Sequence, residues 1–137
     1  MRWFHRRRSH WQGVDFLALK PEQRVAYLLD EESRQVVLLV PRFRTGPLAR
    51  WLQPRLRPER AHIRVILEER GSWIWGQCDG RRAVGDIARD FLVAFPQDTQ
   101  EVEQRVAMFL YSLAENGFVH FVNLAQERTR AEGAGSP

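Results

Sequence analysis

The chain has 137 residues, of which 44% are hydrophobic and 28% are charged, and these values are typical of a globular domain rather than a disordered chain. Its single cysteine, Cys78, excludes an internal disulfide and fits the reducing cytoplasm, where we expect the protein to act. The net charge of +4 conceals an asymmetry, because residues 1–64 carry +8 and residues 65–137 carry −4.

The chain begins with a basic and aromatic segment, residues 1–12, that contains Arg6, Arg7, Arg8 and Trp11. Because its apolar residues show no period, we predict a basic flexible arm. Arginine clusters with aromatic side chains can bind nucleic acid or an acidic membrane, but such a segment can also be a solubilising terminus. We favour the second interpretation.

A β-hairpin is predicted next. Residues 24–30 and the β-branched run 35–40 have strand-like content, and a polar interval, residues 31–34, separates them. Residues 14–19 also have strand-like content. The longest aliphatic run, residues 36–40, is far shorter than the ~20 apolar residues of a membrane-spanning helix, so we expect no membrane partner.

Residues 42–61 form a Pro/Arg-rich insert, in which Pro47, Pro54 and Pro58 exclude one long helix or a central strand. We favour a lid whose apolar side covers a sheet edge. The alternative is a partner-docking surface, because tryptophan and arginine side chains are common interface anchors. The candidate docking residues are Arg50, Trp51 and Arg55.

A third strand and a first helix follow the insert. Residues 62–67 alternate as a strand does, so Ile63 and Val65 point to one side and Arg64 and Ile66 to the other. From residue 67 to residue 78 the apolar positions recur at helical spacing. This pattern predicts a helix that stops at the Asp-Gly pair that follows.

Two further helices and a short strand complete the pattern. Helical spacing over residues 84–95 predicts the second helix, and spacing over residues 102–113 predicts the third. For the third helix, Asp98 with Glu101 is a candidate capping pair and an Asn-Gly pair is the stop. Residues 118–122 return to a strand, and residues 124–137, rich in small and polar side chains, are predicted to be a disordered tail.

Strands followed by helices indicate an α+β fold. A helix pair joined by a turn, near a β-hairpin, predicts a winged helix-turn-helix in which the strands are followed by three helices. The predicted domain spans residues 13–123 and includes the insert 42–61.

The sequence holds no recognisable catalytic constellation. The motifs GxSxG, HExxH, GxxxxGK[ST], CxxC and GxGxxG are absent, and the four histidines lack the spacing of metal ligands. Asp86 and Asp90 are four residues apart on the polar face of a predicted helix, which is typical of a solvated surface. We therefore predict a protein that is not an enzyme and that holds no cofactor or metal.

The segments LEERGSWIW at residues 67–75 and CDGRRAVGDIA at residues 78–88, with the later LAENGFV at residues 113–119, together resemble the PqqD family. The shared pattern is a Leu-x-x-x-Gly-x-x-x-Trp helix, an Asp-Gly turn, a Val-x-x-Ile-Ala helix and a Leu-x-x-x-Gly-Phe-Val ending. The chain departs from it at Ala83, where relatives commonly carry Thr or Ser as a helix cap, a contribution of ~1 kcal/mol.

The resemblance implies a winged helix-turn-helix with a three-stranded antiparallel sheet followed by three helices. It also implies that this domain binds the leader of a ribosomally made precursor peptide and presents it to a modifying enzyme, often a radical SAM enzyme. The leader would add as a strand to the edge strand before the first helix, with the third helix as the other wall. Arg64 and Arg105 would pair with acidic leader residues. The peptide-binding residues implied in this way are His62, Ile63, Arg64, Val65, Ile66, Arg105, Met108 and Ser112.

Two alternatives from other classes stay open. A winged helix can bind nucleic acid through its third helix, but Glu101, Glu103 and Glu115 against Arg105 would repel phosphate and disfavour this alternative. The chain could instead be an accessory subunit that docks on a partner enzyme through the insert and stabilises it. The sequence predicts neither the precursor peptide nor the oligomeric state.

Overall fold

The computed structural model of the protein describes residues 13–41 and 62–134. The chain divides into two units, Arg24–Gly76 and Met1–Gln23 together with Gln77–Pro137. In chain order the elements are a 3-10 turn (Phe16–Ala18), β1 (Pro21–Gln23), β2 (Ala26–Leu29), β3 (Val36–Pro41), β4 (His62–Ile66), α1 (Glu69–Gly76), α2 (Val84–Ala94), α3 (Val102–Glu115), β5 (Val119–Phe121) and α4 (Leu124–Ala134). The α+β class and the three-stranded antiparallel sheet are confirmed, and the winged-helix arrangement stays a prediction.

The sheet of the Arg24–Gly76 unit has the order β2-β3-β4, and both pairs of strands are antiparallel. Along β3 the side chains alternate strictly, so that Val36, Leu38 and Val40 are buried while Val37 and Leu39 are half-buried. This alternation is the period-2 pattern of a strand with one face toward a core. The sheet therefore has a core face and an outer face.

The turn between β2 and β3 is closed by backbone and side-chain hydrogen bonds. The Asp30 amide donates to the Gln35 carbonyl over 2.9 Å, and the Arg34 amide donates to the Asp30 carbonyl over 2.7 Å. Arg34 has a φ of +62°, in the left-handed region. The Asp30 carboxylate accepts from the Glu32 amide at 3.0 Å, and this bond is the main reason that the pKa of Asp30 is lowered. The predicted hairpin, with its polar interval, is confirmed.

Within the same unit, the buried side chain of Ser72 connects α1 to the sheet through hydrogen bonds. Ser72 Oγ accepts a hydrogen bond from the Val36 amide at 2.8 Å and donates one to the Leu67 carbonyl at 3.0 Å. On α1, Ile74 and Trp75 are buried, and the Tyr27 ring packs edge-on against Trp75 with centroids 5.8 Å apart. The helix ends at Gly76, two residues before the predicted end at Cys78.

In the unit formed by Met1–Gln23 and Gln77–Pro137, α2 packs against α3. Each helix buries one apolar stripe, as the spacing predicts. The buried residues are Val84, Ile87, Ala88 and Phe91 on α2, and Val102, Val106, Ala107, Leu110, Tyr111 and Leu113 on α3. After α3, Gly117 has a φ of +75°, which favours a residue without Cβ and confirms the predicted Asn-Gly stop.

The N-terminus of α2 lacks a capping side chain at its N-cap residue, Ala83, and is closed by bonds to other residues. Ala83 makes no side-chain cap, in agreement with the sequence. Instead the Val84 amide donates to the Leu19 carbonyl over 2.8 Å, and the Ala83 amide donates to Asp86 Oδ2 over 3.2 Å. The loop before β1 therefore supplies part of what a serine or threonine cap would supply.

Residues 119–121 form the predicted strand, β5, in a second, two-stranded sheet. β5 pairs antiparallel with β1, so that Glu22 lies opposite His120. Glu22 Oε1 is 2.8 Å from His120 Nε2. The ring of Phe16, in the 3-10 turn, packs edge-on against the ring of Phe121 in β5, with centroids 5.2 Å apart. The pairing of β1 with β5 was not predicted from the sequence.

Residues 14–19 do not form a strand. Asp15 Oδ1 accepts a hydrogen bond from the Leu17 amide at 3.1 Å, and this bond begins the 3-10 turn at Phe16–Ala18. A local side-chain bond of this kind competes with extended structure.

The start of α3 also differs from the prediction. Glu101, at the N-cap, has a φ of 49° in the left-handed region, and its side chain makes no capping hydrogen bond. The predicted capping pair of Asp98 and Glu101 is therefore wrong.

The segment predicted as a disordered tail contains a helix, α4, over Leu124–Ala134. Its beginning is fixed by Asn123, whose carbonyl accepts the Glu127 amide at 3.0 Å. The Asn123 side chain accepts from the Lys20 amide at 2.8 Å and donates to the Ala18 carbonyl at 2.9 Å. These bonds join residues that are about a hundred positions apart in the sequence. The composition of the segment alone therefore did not predict the helix. The predictions for residues 1–12, 42–61 and 135–137 lie outside the described residues.

Candidate strand-binding edge

β4 is an edge strand, and in the part of the chain that the structure describes it pairs with β3 alone. Residues of an antiparallel pair alternately exchange both backbone hydrogen bonds with their partner and direct them away. The Leu67 amide donates to the Val36 carbonyl over 2.8 Å. Because bonded residues recur at every second position, Val65 and Ile63 also exchange their backbone hydrogen bonds with β3. Arg64 and Ile66 therefore direct their N–H and C=O groups toward the free edge.

The side chains of β4 alternate between the two faces of the sheet. Val65 lies opposite Leu38, on the core face, and Ile66 lies opposite Val37, on the outer face. Ile66 is 65% exposed and Ile63 is 47% exposed, while Arg64 is exposed and Val65 half-buried. The predicted alternation of this strand is confirmed, and it leaves a free edge flanked by apolar side chains and one arginine. His62 is the first residue of the strand and lies opposite Pro41.

The remaining predicted peptide-binding residues lie on α3. Arg105 and Ser112 are exposed and Met108 is half-buried. Their spacing of three and four residues places them along one face of the helix. β4 belongs to the Arg24–Gly76 unit and α3 to the Gln77–Pro137 part of the other unit. The groove that the resemblance implies between them stays a prediction, and the predicted docking residues Arg50, Trp51 and Arg55 lie outside the described residues.

The surface of α3 is acidic. Glu101 at its N-cap and Glu103 and Glu115 within it are exposed, as is Arg105. Phosphate-binding surfaces depend on clustered Lys and Arg. The exposure of three carboxylates against one guanidinium therefore disfavours nucleic acid as the ligand of this helix.

Asp86 and Asp90 take part in surface ion pairs. The Asp86 carboxylate is 2.5 Å from Arg89 Nη2, and the Asp90 carboxylate is 3.7 Å from Arg82 Nη1. Asp79 accepts hydrogen bonds from the Arg81 and Arg82 amides, and these bonds, the Arg81 amide first, lower its pKa. These ion pairs and hydrogen bonds are typical of a solvated helix face and of a turn.

Sequence reasoning missed a second free edge, on β2. In the described residues β2 pairs with β3 alone, and all four of its residues are exposed. Two features of the sequence could have indicated this edge. The run Ala26–Leu29 is uncharged. It is also the first strand of a three-stranded meander, and the first strand of such a sheet is an edge strand.

Among the described residues, no helix is both long enough and apolar enough to cross a bilayer. Within residues 13–41 and 62–134, no three His, Cys, Asp or Glu side chains are grouped as metal ligands would be.

The structure defines an α+β fold whose three-stranded antiparallel sheet has an open edge at β4. Residues 55–119 match the family described as coenzyme PQQ synthesis protein D (PqqD). The match includes β4, α1, α2 and α3, the elements on which the sequence resemblance rests, so the resemblance is confirmed. Comparisons with curated proteins and with solved structures gave no match.

Proposed function

We propose that this chain is a non-catalytic protein that captures the leader of a ribosomally made precursor peptide by strand addition at β4. It then presents the leader to a modifying enzyme of the radical SAM class. The match of residues 55–119 to the PqqD family supports an accessory, peptide-binding role related to PQQ synthesis. The observation that carries the proposal is the open edge of β4, where the backbone groups of Arg64 and Ile66 face outward.

The edge also specifies which peptide side chains fit. A strand bonded to Arg64 and Ile66 places its opposing side chains on the outer face, next to those two residues. An acidic residue fits beside the Arg64 guanidinium, and an apolar residue two positions away fits beside Ile66. The intervening residue would lie on the core face, near Ile63 and Val65. For a peptide antiparallel to β4, the expected recognition element is therefore an aliphatic residue, any residue, then an acidic residue, in an extended segment.

Arg105, Met108 and Ser112 are proposed, from the family resemblance, as the second wall of the binding groove. Their exposure along one helix face is compatible with contact to a peptide. Arg105 would pair with a further acidic residue of the leader.

The direct test is a proline substitution at the free edge. Ile66→Pro removes an N–H group that faces outward, a position at which proline is tolerated in an edge strand. Val65→Pro is unsuitable, because the Val65 amide faces Leu38 in the β3–β4 ladder. The matched control is Leu29→Pro, which removes an outward amide from the opposite edge of the same sheet.

Binding is measured by fluorescence anisotropy with a labelled synthetic peptide that contains the expected recognition element in an extended segment. We expect Ile66→Pro to weaken binding by about tenfold or more, ~1.4 kcal/mol, because a backbone bond is lost and the proline ring obstructs the edge. Leu29→Pro should bind like the unaltered protein. Equal affinities for all three folded proteins, judged by circular dichroism, would contradict strand addition at β4.

A further inference from the structure

The backbone pair at the junction between β4 and α1 is closed in part through a side chain. Val36 and Leu67 are the next pair after Val37 and Ile66, and residues in this position normally exchange both of their backbone hydrogen bonds. The Leu67 amide donates directly to the Val36 carbonyl over 2.8 Å. The return path runs through Ser72 Oγ, which accepts from the Val36 amide at 2.8 Å and donates to the Leu67 carbonyl at 3.0 Å. The hydroxyl of Ser72 is therefore part of the last pair between β3 and β4.

Burial makes this hydroxyl necessary. Val36, Leu67 and Ser72 are all buried, and a buried amide or carbonyl without a hydrogen-bond partner is costly. One hydroxyl satisfies both groups, because it accepts one bond and donates another. The position of Ser72 is set in turn by α1, where its amide donates to the Glu68 carbonyl over 2.8 Å.

The peptide group between Ile66 and Leu67 connects this junction to the free edge of β4. In a trans peptide group, which is planar, the C=O and the N–H point in opposite directions. Because the Leu67 N–H points into the sheet, toward Val36, the Ile66 C=O points out of it. The orientation of this outward acceptor therefore depends on how Leu67 is held. Leu67 is bonded at its amide by Val36 and at its carbonyl by Ser72.

We propose that Ser72 is a positioning residue for the leader peptide, because its hydroxyl holds Leu67 so that Ile66 presents its backbone groups to an added strand. This inference rests on the proposed strand addition at β4. Ser72 is buried and acts through Leu67 and Ile66. Without the hydroxyl, the Val36 amide and the Leu67 carbonyl regain a partner within this pair only if they approach each other. That movement carries Ile66 with it.

The experiment measures peptide affinity separately from stability, with the same labelled peptide that tests Ile66→Pro. Ser72→Ala should weaken binding by about fivefold or more, because a backbone hydrogen bond to the peptide is misplaced. The matched control is Gly80→Ala. Gly80 has a φ of +77°, so this change also destabilises the protein, but it lies outside the Arg24–Gly76 unit. A loss of stability alone does not change the affinity of the folded molecules, so Gly80→Ala should bind like the unaltered protein.

Two further variants separate the hydroxyl from the space that it occupies. Ser72→Thr keeps the hydroxyl and should retain most of the affinity. Ser72→Cys, measured in the presence of a reductant, nearly keeps the size of the side chain but replaces the hydroxyl with a thiol, a weak donor and acceptor. It should bind as weakly as Ser72→Ala. If Ser72→Ala does not fold, the comparison of Ser72→Thr with Ser72→Cys decides the outcome.

A folded Ser72→Ala variant that binds the peptide as tightly as Gly80→Ala would overturn the inference, and so would a Ser72→Thr variant that binds as weakly as Ser72→Cys. Ile66→Pro distinguishes this failure from failure of the proposed function. If Ile66→Pro weakens binding and Ser72→Ala does not, strand addition at β4 stands and the role of Ser72 is wrong. If Ile66→Pro binds like the unaltered protein, strand addition at β4 is itself wrong, and the inference fails with it.

Discussion

The Leu67 amide donates to the carbonyl of Val36 over 2.8 Å, and this bond determines which residues of β4 are hydrogen-bonded to β3. It directs the amides of Ile63 and Val65 into the sheet and those of Arg64 and Ile66 out of it. Both partners also bond to Ser72 Oγ, Val36 as donor and Leu67 as acceptor. The register of the edge strand is therefore fixed by buried bonds at the junction between β4 and α1.

The first prediction concerns Ser72. Ser72→Ala removes the acceptor of the buried Val36 amide, and a buried group left unpaired costs about 1–3 kcal/mol. We expect the free energy of unfolding, measured with urea, to fall by that amount. Ser112→Ala, at an exposed position of α3, is the control and should stay within about 0.5 kcal/mol. Equal stabilities for the two variants would show that the serine is not needed at this junction.

The second prediction concerns the turn before α2. Gly80 has a φ of +77°, and a Cβ at this position would lie 2.8 Å from Glu22 Oε2. Gly80→Ala should destabilise the protein by about 1–2 kcal/mol, the cost of a left-handed conformation for a residue with Cβ. Gly76→Ala is the matched control, since a Cβ there meets no atom within 4 Å. A Gly80→Ala variant as stable as the control would contradict this account of the turn.

The third prediction restores a missing helix cap. Ala83 has the extended conformation of an N-cap residue, with φ −76° and ψ 158°, but no side-chain acceptor. Ala83→Ser should stabilise the protein by about 0.5–1 kcal/mol, because Oγ can accept from the first turn of α2. Thermal unfolding measures the gain, with Ala94→Ser at the exposed end of the same helix as control. A melting temperature no higher than that of the control would refute the prediction.

The fourth prediction concerns the thiol of Cys78. Burial, with a smaller contribution from the charge of Asp79, raises its pKa from 9.0 to about 12. Because the folded pKa is the higher one, the protonated thiol favours the folded state fully below pH ~9, and this contribution is lost as the pH rises toward 12.

The reactivity of Cys78 toward a disulfide reagent such as DTNB tests this directly. Thiolates, not thiols, attack such reagents, so the folded protein at pH 8 should react far more slowly than the protein in denaturant. Rapid labelling of the folded protein at pH 8 would contradict the buried position of this cysteine.

The helices α1, α2 and α3 and the strand β4 could be predicted from the sequence because local spacing determines them. The apolar stripe of α2 and the alternation of Ile63 to Ile66 each arise within a few residues. The predicted boundaries therefore differ from the structure by only a residue or two at α1 and α2.

The rest depends on contacts between distant residues. Asn123 bonds to Lys20 and Ala18 and fixes the start of α4, which has no apolar stripe to reveal it. The pairing of β1 with β5 likewise joins segments about a hundred residues apart. The orientation of the β4 amides follows from one bond, Leu67 to Val36, and no spacing rule gives it. For this reason the sequence alone does not distinguish Val65 from Ile66 as the position for a proline substitution, whereas the structure selects Ile66.

Amide hydrogen exchange, followed by NMR with and without the leader peptide, tests the central claim most directly. In the free protein the Ile63 and Val65 amides should be protected by β3, while those of Arg64 and Ile66 exchange quickly. Saturating leader should slow exchange at Arg64 and Ile66, because a new strand accepts their hydrogen bonds. A leader that binds while both amides keep exchanging as fast as before would contradict strand addition at β4.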